Sequence, residues 1–326
     1  MNTTENPNIA AKTGSLVASW RLVILALFLI VTPISNPVAA QPTEGSLVYL
    51  AGSENSALNR RMLSLLQEAL GSRTIIRTFS PGQTSQDSTT PVIALGPSAF
   101  TRVRQENRNV PILALLVEQS FIDGYVEQAG GSVSGILYNP PLIRQAITGK
   151  VILPQATRVA MLAHPDKVES YEPTIERLPE YGMEGKIFVV ASDGELIPTL
   201  IRALNYGDFI LAAPDSSIYN PRTIKHILLT AYRRNRIVIG PSQAYVKAGS
   251  LASTYTPLTE IAELAAEYIQ DYRVKGRFPP PAYPEAFGIE VNKQVARSLN
   301  IPLPDRKDII TSVQEQLRET GEVADE

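Results

Sequence analysis

The stretch from Gly207 to Thr256 limits the possible folds of this chain more than any other. It begins with a short apolar run without alternation, Phe209–Ala213, and a second run of this kind follows at Ile237–Ile239. Such runs are typical of strands that are buried on both faces of a parallel sheet. Apolar residues between the two runs recur at helical spacing: Ile224, Ile227, Leu228 and Ala231. The stretch therefore predicts a strand–helix–strand unit of an α/β protein.

Both of these predicted strands end in small or polar residues. Pro214–Ser216 follows the first strand and Gly240–Gln243 follows the second. Ligands of open parallel sheets bind at the carboxyl ends of the strands. We therefore expect four side chains to converge on a ligand at this edge: Asp215, Ser216, Ser242 and Gln243. The alternative is that Asp215 and its neighbours only cap the helix that follows.

The first half of the chain repeats the pattern of apolar strands with polar ends. Strands are predicted at Ser46–Ala51, Thr74–Thr78, Pro91–Leu95 and Val110–Val117. Their ends supply further candidate ligand residues: Gly52, Ser53, Gly96, Ser98 and Glu118. A helix is predicted to begin at Pro97, and the backbone N–H groups at a helix start favour an anionic group. Asp215 would then suit an amine or hydroxyl donor of the same ligand.

The second half of the chain also resembles a known family. The matching segments are Tyr245–Ile269, Gly276, a Pro-rich stretch at 278–284, and Ile289–Asp305, which contains the pattern Asn-x-x-x-Ala-x-x-Leu-x-Ile-Pro. From about Arg158 to Asp305 the chain resembles the substrate-binding proteins of ABC transporters, a family with members linked to the uptake of aromatic amino acids.

The resemblance implies a two-lobed α/β protein with the type I periplasmic binding protein fold, in which helices flank parallel sheets. It also implies a small-molecule ligand between the lobes, such as an amino acid or small organic acid, and an ABC permease as partner. We expect a reduced first lobe, because the polar stretch 80–90 stands where a further helix is expected. Tyr255, at a predicted crossing between the lobes, completes the set of candidate ligand residues.

The first 40 residues predict a signal peptide and hence export to the periplasm. Arg21 precedes ten apolar residues, Leu22–Val31, and Val38–Ala40 fits cleavage after Ala40. The alternative is an uncleaved membrane anchor, for which the apolar run is short, because a span needs about 20 residues.

The rest of the chain divides into two lobes and a tail. We expect lobe 1 to comprise 41–135 with 250–277, and lobe 2 to comprise 136–249 with 283–310. Gly-Gly, Gly-Ser and Pro-rich segments predict crossings between the lobes near 130–140, 248–256 and 278–286. Residues 311–326 are predicted to form a charged tail, either solvated or a loose helix.

Composition and motifs argue against most other classes of function. The chain has no cysteine and two histidines, so neither a zinc site nor a thiol nucleophile is expected. It has no Gly-rich phosphate loop, and a net charge of −2 gives no basic footprint for nucleic acid. We therefore expect a binding protein without cofactor, metal or catalytic residues. The alternatives are a ligand-sensing accessory protein for a membrane receptor or histidine kinase, and a periplasmic enzyme on the same scaffold.

Overall fold

The structure, a computed structural model, describes residues 46–80, 82 and 89–320, which belong to one compact unit, Gly45–Glu326. The signal peptide predicted at 1–40 and most of the polar stretch 80–90 lie outside the described residues. The strands are β1 (Ser46–Ala51), β2 (Thr74–Thr78), β3 (Val92–Leu95), β4 (Ile112–Val117), β5 (Val133–Leu137), β6 (Arg158–Ala163), β7 (Glu184–Val189), β8 (Phe209–Leu211), β9 (Ile237–Ile239), β10 (Ala252–Tyr255) and β11 (Gly288–Val291). The helices are α1 (Ser56–Leu70), α2 (Pro97–Glu106), α3 (Gln119–Ala129), α4 (Leu142–Ile152), α5 (Val168–Arg177), α6 (Leu196–Tyr206), α7 (Ile224–Arg233), α8 (Gln243–Ala248), α9 (Leu258–Lys275), α10 (Lys293–Ser298) and α11 (Arg306–Glu319).

The first lobe is built on a parallel sheet with the strand order β2-β1-β3-β4-β5. Helices α1 and α9 cover one face through Met62, Leu66 and Ile261, and helices α2 and α3 cover the other through Phe100 and Ile122. Every residue of β3 is buried, as its unbroken apolar sequence predicts for a strand covered on both faces.

The second lobe is built on a sheet with the strand order β11-β10-β9-β8-β6-β7. Its neighbouring strands are parallel except β10 and β11, which are antiparallel. Helices α4 and α11 contribute Ile147 and Val313 to the core on one face, while α6 and α7 contribute Leu200 and Ile227 on the other. The α/β architecture, with one parallel and one mostly parallel sheet flanked by helices, agrees with the fold expected from the sequence.

Three connections join the lobes. The first runs from β5 to α4 through 138–141, the second from β10 to α9 through Thr256 and Pro257, and the third from α9 to β11 through 276–287. The third connection lies beside β5, because the Leu137 N–H donates to the Ala282 carbonyl at 2.9 Å and the Ala282 N–H donates to the Gly135 carbonyl at 3.1 Å.

The structure differs from the sequence analysis at three segments. Residues 133–137, expected within a connection, form β5, the fifth strand of the first sheet. Residues 252–255, expected in lobe 1, form β10, which pairs with β9 and β11 of the second sheet. The charged tail, expected to be solvated or a loose helix, belongs to the packed helix α11 as far as it is described, because Ile309, Val313 and Leu317 recur at helical spacing and are buried in the second lobe.

No helix among the described residues is long and apolar enough to cross a membrane.

Candidate functional site between the two lobes

A cavity of about 520 Å³ lies where the two lobes face each other. The first lobe contributes the segment after β4, and the second contributes α5 with the preceding Lys167, the start of α4, and Pro214 in the turn after β8. The first and third connections supply the rest of the wall. Its lining residues are Glu118, Gln119, Ser120, Asn139, Pro140, Pro141, Leu142, Ile143, Lys167, Ser170, Tyr171, Pro173, Thr174, Arg177, Pro214 and Tyr283. Its volume is in the range of small-molecule sites, and it lies at the strand ends where parallel sheets bind ligands.

A β-bulge at the end of β4 precedes the first-lobe wall of the cavity. The register of β4 against β5 shifts between Leu115 and Val117, and the extra residue, Leu116, has a φ of 61°. A positive φ is uncommon for a bulky residue, and bulges that turn the chain are frequent beside functional sites. Glu118 follows directly; its side chain is exposed, and one carboxylate oxygen accepts a hydrogen bond from Asn139 Nδ2 at 3.1 Å.

Tyr171 of α5 forms part of the second-lobe wall. Its side chain is buried to 5% exposure, yet it lines the cavity. Burial raises the pKa of the Tyr171 hydroxyl far above its usual value, and the negative charges of Asp215 and Glu118 raise it further. Tyr171 is therefore a neutral hydroxyl, able to donate a hydrogen bond to a ligand, at every physiological pH.

Tyr283 brings a second aromatic side chain to the cavity from the Pro-rich third connection. Burial raises the pKa of Tyr283, as do the charges of Glu118 and Asp123, while the positive charge of Arg144 opposes them. Arg144 is itself buried in the first turn of α4, with its guanidinium 4.6 Å from the centre of the Phe287 ring. Tyr283 thus experiences acidic groups of the first lobe and a cation of the second.

Two further cations line the second-lobe side of the cavity. Arg177 is partly neutralised, because its Nε lies 3.7 Å from Glu180 Oε2. Lys167 is exposed just before α5 and forms no ion pair with any described residue. The cavity therefore has a carboxylate on its first-lobe side and an ammonium group on its second-lobe side.

Asp215, the central candidate from the sequence, is buried in the protein and does not line the cavity. It is 3% exposed, and its carboxylate accepts hydrogen bonds from the His164 N–H at 3.2 Å and the Ser217 N–H at 2.9 Å, as well as from the Ser217 hydroxyl. These contacts join the ends of β6 and β8. Asp215 therefore joins two strand ends and caps no helix, because the helix that follows, α7, begins at Ile224 with Thr223 as its N-cap.

The other second-lobe candidates also lie outside the cavity lining. Ser216 is exposed on the turn after β8, and its carbonyl accepts from Asn220 Nδ2 at 3.2 Å. Ser242 and Gln243 begin the short helix α8. Tyr255 lies across Gly288 of the neighbouring strand, where an added Cβ would come within 2.4 Å of the tyrosine ring.

The first-lobe candidates other than Glu118 serve the loops beside the sheet. Ser53 and Asn59 form a local clamp: the Ser53 N–H and hydroxyl both donate to Asn59 Oδ1 at 2.9 Å. Gly52 packs against the same asparagine. Gly96 precedes α2 with a φ of 84°, and Ser98 is exposed in the first turn of that helix. Of the ten candidates, the cavity lining includes Glu118 alone.

Sequence reasoning missed the lining residues that come from helices and connections. Asn139 would have been found had β5 been recognised, because it follows the end of that strand. Lys167 and Tyr171 follow the polar turn after β6 with one-turn spacing, a weak signal for a helix face. The only sequence signal for Tyr283 is its position in the Pro-rich segment.

The described residues contain no group of three or more His, Asp or Glu side chains that could hold a metal ion. His164 has its Nδ1 3.3 Å from Asp166 Oδ2 at the exposed end of β6. A hollow of about 610 Å³ beside α10 and α11 is lined by second-lobe residues only. The interlobe cavity is the better candidate site, because both lobes and two connections contribute to it.

Comparisons with known proteins support this architecture. The chain is similar to the ligand-free, open structure of a substrate-binding protein with adhesive properties from Clostridium difficile (TM-score 0.64, 16% identity, covering 80% of this chain and 96% of that one). It is also similar to an ABC domain from Streptococcus pneumonia in complex with L-Trp (TM-score 0.53, 16% identity, 82% and 97% covered) and to a conserved domain protein from Vibrio cholerae (TM-score 0.53, 16% identity, 82% and 98% covered). No family model and no curated protein matches the sequence. The likeness shows that the chain has the type I periplasmic binding protein fold.

Proposed function

We propose that this protein is a solute-binding protein that captures a small molecule in the cavity between its lobes. The observation that carries the proposal is the composition of the cavity wall, to which both lobes and two connections contribute. A ligand held there contacts both lobes at once, so that binding favours their closure and the exclusion of water. This activity requires hydrogen bonds and apolar contact, without any covalent step.

The cavity wall fits a small ligand with an apolar or aromatic body and charged ends. Tyr171, Tyr283 and the prolines of the lining supply flat apolar surfaces, and Glu118 and Lys167 supply opposite charges. An amino acid or a small organic acid has this chemistry. The L-Trp complex of a protein with similar architecture is consistent with such a ligand.

The setting of this activity is uptake from the periplasm. The predicted signal peptide at 1–40 exports the chain, and an ABC permease receives the ligand from the closed protein. The alternative partner is a membrane sensor that recognises the same closed form. A permease and ATPase encoded beside this protein would favour uptake, whereas a histidine kinase would favour sensing.

A variant that blocks the cavity tests the proposed site. Ser170 is an exposed lining residue whose hydroxyl donates to the carbonyl three residues earlier, that of Lys167. We expect Ser170→Trp to abolish the binding of amino acids and organic acids in titration calorimetry, because the indole occupies the cavity. A ligand-induced rise in Tm should disappear with it.

The matched control is Ser298→Trp on α10. Ser298 is also exposed, and its hydroxyl donates to the Val295 carbonyl, again three residues earlier, but it does not line the cavity. This variant should bind as the parent does. Equal binding by the parent and a folded Ser170→Trp variant would contradict the proposed site.

A further inference from the structure

The two walls of the interlobe cavity carry opposite charges. Glu118 stands on the first-lobe side, at the start of α3, and Lys167 stands on the second-lobe side, just before α5. The polar strand ends in the sequence predicted the reverse order, with an anionic group of the ligand near Gly96 of the first lobe and an amine or hydroxyl group of the ligand at Asp215. In the structure, neither Gly96 nor Asp215 lines the cavity.

Glu118 is able to receive a cationic group of a ligand. Its side chain is exposed, and Asn139 Nδ2 donates to Oε1 at 3.1 Å, so that the neutral amide leaves the negative charge in place. Glu118 is also one of the residues that line the cavity, as are Tyr171 and Tyr283. The bulge at Leu116 brings the chain to this position.

Lys167 is the complementary group on the opposite wall. It forms no ion pair among the described residues, whereas Arg177 is held by Glu180. Buried Arg144 adds positive charge in the first turn of α4, on the second-lobe side. Charged groups that face each other across a gap favour a ligand whose own charges have the matching order.

We propose that the cavity selects a zwitterionic ligand in one orientation, with its ammonium group on Glu118 and its carboxylate on Lys167. This inference rests on the proposed function, because it concerns the ligand of the same cavity. Lobe closure then brings two opposite charges of the protein onto two opposite charges of one ligand. A neutral sugar could accept or donate hydrogen bonds here but would form no ion pair with either group.

Calorimetry with three related probes tests the orientation. L-tryptophan carries both charges, tryptamine lacks the carboxylate, and indole-3-propionate lacks the ammonium group. We expect Glu118→Gln to weaken binding of L-tryptophan and tryptamine by about tenfold and to leave indole-3-propionate within about twofold of the parent. Lys167→Gln should weaken L-tryptophan and indole-3-propionate by a similar factor and spare tryptamine.

Two charge-matched controls accompany these variants. Glu106→Gln on α2 and Lys225→Gln on α7 remove an exposed charge from each lobe outside the cavity lining, and both should bind every probe as the parent does. Equal loss of all three probes in Glu118→Gln would overturn the orientation.

The outcomes separate this inference from the proposed function. If the parent binds a monosaccharide instead, and neither Glu118→Gln nor Lys167→Gln changes that affinity, solute binding stands and the charge inference fails. If the parent binds no amino acid, organic acid or monosaccharide, both fail.

Discussion

Individual side chains at the strand ends of this protein divide into those that hold the sheet together and those that face the cavity. Asp208 belongs to the first group, at the amino end of β8. Its Oδ2 accepts from the Thr157 N–H at 2.9 Å and the Arg158 N–H at 3.0 Å, and its Oδ1 lies 4.0 Å from Arg236 Nη1. Burial alone would raise its pKa, but these hydrogen bonds and the charges of Arg158 and Arg236 outweigh burial and lower it.

Asp208 should therefore stabilise the fold in a manner that depends on pH. A carboxyl group with a lowered pKa in the folded state contributes its full stability above its unfolded value, near 3.8, and loses it as the pH falls from there through the folded value. We expect Asp208→Asn to reduce the free energy of unfolding at pH 7 by about 1–3 kcal/mol. Urea unfolding at a series of pH values should show the difference shrinking in acid.

Asp193→Asn provides the comparison for this variant. Asp193 is 76% exposed and lies 3.9 Å from an equally exposed Arg222, so its loss should change stability by less than about 0.5 kcal/mol. A difference between Asp208→Asn and the parent that stayed constant down to pH 2 would contradict the role assigned to the charge.

At the scale of elements, strands with unbroken apolar runs could be predicted from the sequence, and strands that contain or follow turn-forming residues could not. The apolar runs of β3 and β8 predict these strands, since few other structures bury every residue of such a run. β5 was missed because Val133–Leu137 contains a central glycine and follows Gly130 and Gly131, so that turn signals dominate. β10 was missed because Gly249 and Ser250 resemble a hinge.

The packing of helix α11 was also hard to predict from the sequence, because its many charged residues obscure its apolar face. Leu317 is 1% exposed in the core of the second lobe. We expect Leu317→Ala to destabilise the protein by about 2–5 kcal/mol, through lost burial and the cavity left behind. The measurement is the free energy of unfolding in urea.

Glu315→Ala serves as the control on the same helix, because Glu315 is exposed and should be neutral within about 0.5 kcal/mol. A Leu317→Ala variant as stable as this control would mean that α11 is the solvated tail that the sequence first indicated.

At the scale of the whole molecule, the fold could be expected from the sequence, but most of the site could not. The polar end of a parallel strand pointed to Glu118, which lines the cavity, and its contact with a ligand stays a prediction. The rest of the lining depends on how the lobes face each other: Tyr171 comes from a helix, and Asn139 and Tyr283 come from connections distant in sequence. Asp215 also follows a parallel strand, yet hydrogen bonds from His164 and Ser217 hold it in the protein interior, outside the cavity lining.

The most direct test of the account is native mass spectrometry of the protein isolated from the periplasmic fraction. We expect a polypeptide that begins at Gln41 and carries one small molecule, because closed lobes retain a buried ligand. The adduct should persist in Ser298→Trp and be absent from a folded Ser170→Trp variant. Solute capture between the lobes would be contradicted if the parent protein carried no adduct and also failed to bind amino acids or organic acids afterwards. It would equally be contradicted if Ser170→Trp retained the adduct.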